Sequence, residues 1–280
     1  MTDGPATLRV ATWNIRAAIG PGKPFPDRWW RLISADRLRA IGEFLRNLDA
    51  DVVALQEVAL ASRDGDLIDN AGDLGRQVGM HVRYGAARTF AITDAHGSMT
   101  GAGCFGNAIL SSLPVASSRA LMLPMAAVDA YVEPPGADHP AAGVRYIDAP
   151  DTIREPRALV LVGVAGLTVG SVHLSHIGAA ERELQVASTL AAFGEGGPAL
   201  LLGDLNASIE SPELGALSAW VDGFAASGVA AGDERRTSTD DGWRIDHVVA
   251  RGASVHGCRV LREAGDLSDH YPVIAEVTAA

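Results

Sequence analysis

The segment Leu200–Asn206, LLLGDLN, constrains this chain more than any other. Its three leucines read as a short, fully buried strand, and Gly203 as the place where the backbone turns tightly. Asp204 and Asn206 follow at once. Two residues apart in an extended segment, they share a face. A strand end with an Asx-type turn accounts for such residues on its own, since Asp and Asn favour turns. The reading as a site prevails because other apolar strands of the chain end in polar groups too.

Leu8–Ile15 (LRVATWNI) alternates, with Val10, Thr12 and Asn14 on one face and Ala11, Trp13 and Ile15 on the other. Asn14 thus rides at a strand end. Asp51–Val58 (DVVALQEV) is a second buried strand with Glu57 near its end. A carboxylate there is costly unless it is paired or bound to a metal. Asn107 is carried into the apolar strand of Gly101–Ser112, and Arg154 stands at the start of the apolar Ala158–Val162. A turn at Ala165-Gly166 leads into Leu167–His176 (LTVGSVHLSH), which delivers His173 and His176. Arg244–Arg251 (RIDHVVAR) carries Asp246, with His247 on the opposite face. In Leu267–Val277, Asp269 and His270 precede a last alternating strand.

Helical spacing of Leu38, Ile41, Leu45 and Leu48 predicts a helix over Ser34–Leu48. A second helix, Glu181–Phe193, is expected to turn Leu184, Ala187 and Ala191 inward. Ser211-Pro212-Glu213 is a good helix start, with proline at the first helical position. Trp29-Trp30 reads as a core edge, and Pro124–Pro150 as a long surface loop joining two halves. Both halves supply strand–helix–strand units. They fit a two-sheet sandwich, one domain over residues 1–280, with the polar strand ends meeting at one rim.

The net charge is −11 and no run of Lys or Arg exists. Duplex binding feeds on such contacts to phosphates, so composition argues against a tight duplex binder, though not against a nuclease that acts locally. No apolar run reaches the ~18 residues that a membrane helix needs. The start MTDGPATLRV lacks the features of a signal peptide, so a soluble, cytoplasmic protein is expected. Cys104 and Cys258 form no CxxC pattern and read as two small buried thiols.

Collected, the oxygen donors Asn14, Glu57 and Asp269 suit a hard cation, Mg²⁺ or Mn²⁺. His173 and His270, beside acidic neighbours, suit acid–base work near neutral pH. An Arg and two amides can hold an anion. Together these are the requirements for hydrolysing a phosphate ester.

The motifs TWNI, ALQEV, GNAILS, REP, VHLSH, GDLNA, RIDHVV and SDHYPV follow one another from Leu8 to Val277. In that order they resemble the endonuclease/exonuclease/phosphatase superfamily. The resemblance implies a DNase I-like, four-layer α/β sandwich of two packed, mostly antiparallel sheets flanked by helices. It implies a metal held by Asn14 and Glu57, with Asp269 completing or extending the site. Asp246 would orient His270, the pair acting on the attacking water, with Asp204 the rival base. Asp204 and Asn206 would sit at the metal–phosphate contact, and His173 would stabilise phosphoryl oxygens or assist the leaving group. Arg154 and Asn107 would position or support the site.

Phe105 stands where many relatives carry tyrosine, and Arg16 where some carry histidine. The expected substrate is a phosphoester, with nucleic acid, lipid and small molecule left open. His176 ranks below His173, and His81, His96, His139 and His256 read as surface or loop residues.

Overall fold

In the computed structural model, which describes residues 7–22, 29–63, 65–94, 96–126 and 155–279, alternation sorts each strand's side chains into two apolar layers. Along β1 (Thr7–Asn14), Val10 enters one layer while Ala11 and Trp13 enter another. Along β9 (Ala199–Asp204), Leu200 and Leu202 join the first layer and Leu201 a third. The leucine run is therefore buried on both sides. Leu202 is fully buried, and its truncation to alanine would cost about 2–5 kcal/mol.

The first layer lies between two sheets. One runs β12 (Ala253–Val260), β13 (Val273–Ala279), β1, β2 (Val52–Arg63), β5 (Met99–Ser111), β4 (His81–Thr93), with β3 (Asp66–Asp69) on β2. The other runs β10 (Val221–Asp222), β11 (Asp246–Arg251), β9, β8 (Leu167–His173), β7 (Ala158–Val164), β6 (Val115–Met122). Among the described residues, β1–β2 and β8–β9 pair in parallel and the other pairs are antiparallel. Each parallel pair needs a crossover. Helix α1 (Ala35–Leu48) supplies the first and helix α3 (Ala179–Phe193) the second.

Helix α1 and helix α2 (Asn70–Val78) pack on the outer face of the first sheet through Leu38, Ile41, Leu45 and Leu74. Helix α3 and the 3-10 helix Pro212–Ala219 cover the second sheet through Val186, Phe193, Leu214 and Leu217. The result is the four-layer α/β sandwich expected from sequence. Ser34 caps α1 by accepting a hydrogen bond from the Arg37 N–H at 3.2 Å. The β7–β8 hairpin turns at Ala165 and Gly166, both with positive φ. Trp29 packs against Phe90 and Phe105 at ring separations of 4.8 and 5.3 Å, a core edge as read. No helix among the described residues is long and apolar enough to cross a membrane.

Three local expectations are corrected. Gly203 does not end β9; it lies inside the strand, where a Cβ would collide with the carbonyl oxygen of Val172. Strand β2 does not stop near Val58 but continues to Arg63 through a bulge. Helix α3 exposes Leu184, Ala187 and Ala191 and buries Glu181, Arg182, Gln185 and Thr189 instead. Glu181, Arg182 and Gln185 serve loops and a neighbouring helix. Gln185 accepts from the Ser175 N–H at 2.8 Å, Glu181 accepts from the Ala126 N–H at 2.9 Å, and Arg182 pairs with Glu213 at 2.6 Å. Apolar periodicity picked the wrong face because polar groups anchor the right one.

Candidate active site

The inner faces of both sheets run out at one rim. His173, Asp204 and Asp246 are direct partners across β8, β9 and β11, on the face that carries Val169, Leu202 and Val248. Asn14 ends β1 on the face of Val10, in the opposite sheet. The side chains meet there: Asn14 Nδ2 donates to Asp204 Oδ2 at 3.2 Å and to Glu57 Oε1 at 3.1 Å.

Strict alternation would point Glu57 outward with Leu55. The register of β2 against β5 shifts between Leu55 and Val58, and Glu57 takes φ +55°. Such a bulge re-aims a side chain, at a strain of order 1–3 kcal/mol for a residue other than glycine. It brings Glu57 to Asn14. Gln56 keeps the inner face, accepting from Thr12 Oγ1 at 3.2 Å and donating to Ser171 Oγ at 3.1 Å.

Asp204 occupies the centre. Its Oδ2 lies 3.3 Å from His173 Nε2 and 3.8 Å from His270 Nε2, and its Oδ1 accepts from the Asn206 N–H at 2.9 Å. Burial first, then Asp246, raises its carboxyl to about 6, against the pull of His270, Asn206 and Asn14. Asn206 has φ +50°, so an Asx turn replaces the shared extended face expected from its spacing. Its Nδ2 donates to the Leu174 carbonyl at 2.9 Å, tying down the end of β8.

His270 places Nδ1 2.8 Å from Asp246 Oδ2. Trp13 Nε1 holds the His270 carbonyl at 2.9 Å, and an isolated bridge links His270 to Thr239. Burial alone would lower this imidazole, but Asp246, through charge and hydrogen bond, with Asp204 and Asp269 behind it, raises it to about 10. Asp204, Asp246 and His270 stand close enough to surround an ion. The Nδ1–Asp246 contact leaves Nε2 of His270 turned towards Asp204, the geometry in which a histidine can either hold a proton or face an ion.

Glu57 also suits a cation. Burial and then Asp269 raise it to about 7, opposed by Asn14, His270 and Arg157, and its Oε2 is a buried oxygen without a hydrogen bond. Asp269 pairs with buried Arg16 at 3.3 Å, and Arg16 Nη1 donates to the Gly20 carbonyl at 2.6 Å. Asn107 donates to the Ala158 carbonyl at 2.6 Å and forms a wall beside Glu57.

Arg154 lies outside the described residues, as do His139 and most of Pro124–Pro150. The arginine found at the site is Arg157, which the sequence reading missed. It is buried at the threshold of β7, with Nη1 3.1 Å from His173 Nδ1 and Nη2 3.0 Å from His176 Nδ1. A signal existed: REPR holds a second arginine directly before a strand, where polar delivery operates throughout this chain. Burial, then Arg157, His270 and His176, hold His173 well below its usual range. Burial and Arg157 also push His176 down to about 4 despite Glu155.

His247 faces away, bonded to the Ala207 carbonyl at 3.0 Å, and His81, His96 and His256 are exposed. Cys104 and Cys258 are free thiols; Cys258 is buried and Cys104 partly so.

This sandwich, with its polar rim between the sheets, is the architecture of DNase I-like proteins. A model of the endonuclease/exonuclease/phosphatase family matches residues 11–270, and the chain belongs to that family. The activities in the family's name all cleave phosphoester bonds. An endonuclease/exonuclease/phosphatase from Beutenbergia cavernae DSM 12333 is similar in structure, with 21% identity and a TM-score of 0.69 over 98% of this chain and 72% of that one. A functionally unknown conserved protein from Enterococcus faecalis V583 shares 20% identity, with a TM-score of 0.64 over 98% and 100%. Humanized TDP2 from D. rerio shares 15% identity, with a TM-score of 0.60 over 98% and 99%. No curated protein matches the sequence.

Proposed function

We propose that this chain is a divalent-metal-dependent hydrolase of phosphoester bonds, with one catalytic centre at the rim between its sheets. The observation that carries the reading is the convergence on Asp204 Oδ2 of Asn14, His173 and His270, brought from both sheets. Asn14, Glu57 and Asp269 would hold a hard cation, Mg²⁺ or Mn²⁺. Bound there, it would neutralise charge developing on the phosphoryl group. The orphaned, buried Glu57 Oε2 supports that assignment.

The chain's own groups divide the proton work. His270 holds its proton at neutral pH because Asp246 is 2.8 Å away, so it serves as a fixed positive donor at Nε2. Asp204, with a carboxyl near 6, is ionised at neutral pH and is the group able to accept a proton from water. This assigns the base to Asp204 and makes the His270–Asp246 pair its electrostatic partner. His173 presents Nε2 to phosphoryl oxygens, and Asn107 and Asn206 brace the walls.

The match over residues 11–270 supports one catalytic domain across residues 1–280. The charge of −11 favours small or lipid-linked phosphoesters over duplex nucleic acid. Two free thiols suit a reducing, cytoplasmic setting. The test is a Mg²⁺-supplemented screen over nucleic acids, phospholipids, and sugar or inositol phosphates. Turnover that a chelator abolishes is expected with at least one class. Absence of turnover with every class would end the proposal.

A further inference from the structure

Arg157 is a cation set behind a histidine in the centre of the site, where a carboxylate would be the ordinary partner for an imidazole. Its Nη1 lies 3.1 Å from His173 Nδ1 and its Nη2 3.0 Å from His176 Nδ1. A guanidinium has only donors. Each imidazole nitrogen facing it must therefore be the acceptor, without a proton. For a neutral ring, that leaves the proton on Nε2.

On His173 that atom faces Asp204 Oδ2 at 3.3 Å. We propose that Arg157 is a positioning residue that fixes His173 as the Nε2–H tautomer, so that Nε2 enters the reaction as an oriented donor. The proposal rests on the hydrolase reading above and adds to it the chemical role of His173.

The surroundings of Arg157 support this role. Glu155 Oε2 lies 3.3 Å from Arg157 Nη2, and Glu155 Oε1 accepts from Arg88. Glu155 thereby holds the guanidinium in place, while Nη1 and Nη2 face the two histidines. Among the described carboxylates near His173, Glu57 Oε1 is 3.9 Å from Nδ1, beyond hydrogen-bond reach and further than Arg157. A positive charge thus stands closer to Nδ1 than any negative one. The inverse arrangement holds at His270, whose Nδ1 meets Asp246. The two imidazoles at Asp204 thus have groups of opposite sign behind them.

The test is nitrogen-15 histidine spectroscopy of the full chain, with His173→Asn identifying the His173 signal. In the wild type, Nδ1 of His173 is expected in the unprotonated range and Nε2 in the protonated range. Arg157→Met should mix the tautomers and lower kcat for bis(p-nitrophenyl) phosphate with Mg²⁺ about 10- to 100-fold while KM stays within about twofold. Arg157→Lys should restore part of both. A protonated Nδ1 in the wild type, or an Arg157→Met spectrum like the wild type's, would overturn the proposal. If Arg157→Met fails to fold, the wild-type and Arg157→Lys spectra still decide. Wild-type protein that shows the tautomer yet hydrolyses no phosphoester would leave the positioning role intact and remove the hydrolase reading.

Discussion

His270 Nδ1 and Asp246 Oδ2 are 2.8 Å apart, although 24 positions separate them in the chain. Asp246 comes from the start of β11 in one sheet, and His270 from the approach to β13 in the other. The pair bridges the sandwich at its rim, and Asp246 raises the imidazole above its usual range. Removing either member should lower kcat by about 10²–10⁴-fold with little change in KM. The double variant should lose scarcely more than His270→Ala alone, because the groups act as a unit. Losses that multiply would show two independent residues.

Through Glu57 the proposed cation would be linked to stability. Its carboxyl is raised from 4.5 to about 7 in the fold. A raised folded-state value means stability fully present below 4.5 and lost as pH rises through 7, about 3 kcal/mol in the ion-free chain. At pH 8, Mg²⁺ should therefore raise the Tm. Glu57→Gln should remove most of that shift and flatten the ion-free pH dependence, both readable by calorimetry. A Mg²⁺ shift unchanged in Glu57→Gln would place the cation elsewhere.

His176 carries the opposite sign. Its imidazole falls from 6.5 to about 4 through burial and Arg157. A lowered value means stability present above 6.5 and lost as pH drops through 4, about 3 kcal/mol in all. Urea unfolding at pH 7 and pH 4 should show a smaller acid loss in His176→Gln than in the wild type. Equal losses would mean that His176 is solvated.

Much of this was legible in the residues. Alternation in LRVATWNI and the leucine run of LLLGDLN placed the strands, and strand ends placed Asn14, His173, Asp204 and Asp246 at one rim. What the sequence hid were departures from period. The bulge that turns Glu57 inward leaves no mark in an apolar pattern, because one extra residue shifts register without changing composition. The αL turn at Asn206 diverts its side chain to Leu174. Helix α3 was oriented wrongly because its buried face is polar. REPR marks Arg157 as well as Arg154, but linear spacing does not show that Arg157 spans two histidines.

In the proposed mechanism Asp204 takes the proton from water at a phosphoester-hydrolysing centre. The most direct test is the kcat of Asp204→Asn against the wild type on bis(p-nitrophenyl) phosphate with saturating Mg²⁺ at pH 8. Asparagine keeps the shape of the side chain and removes the base. The expected result is a loss of at least about 10²-fold in kcat, a KM close to wild type and an unchanged fold by circular dichroism. An Asp204→Asn variant that turns over at the wild-type rate would contradict it.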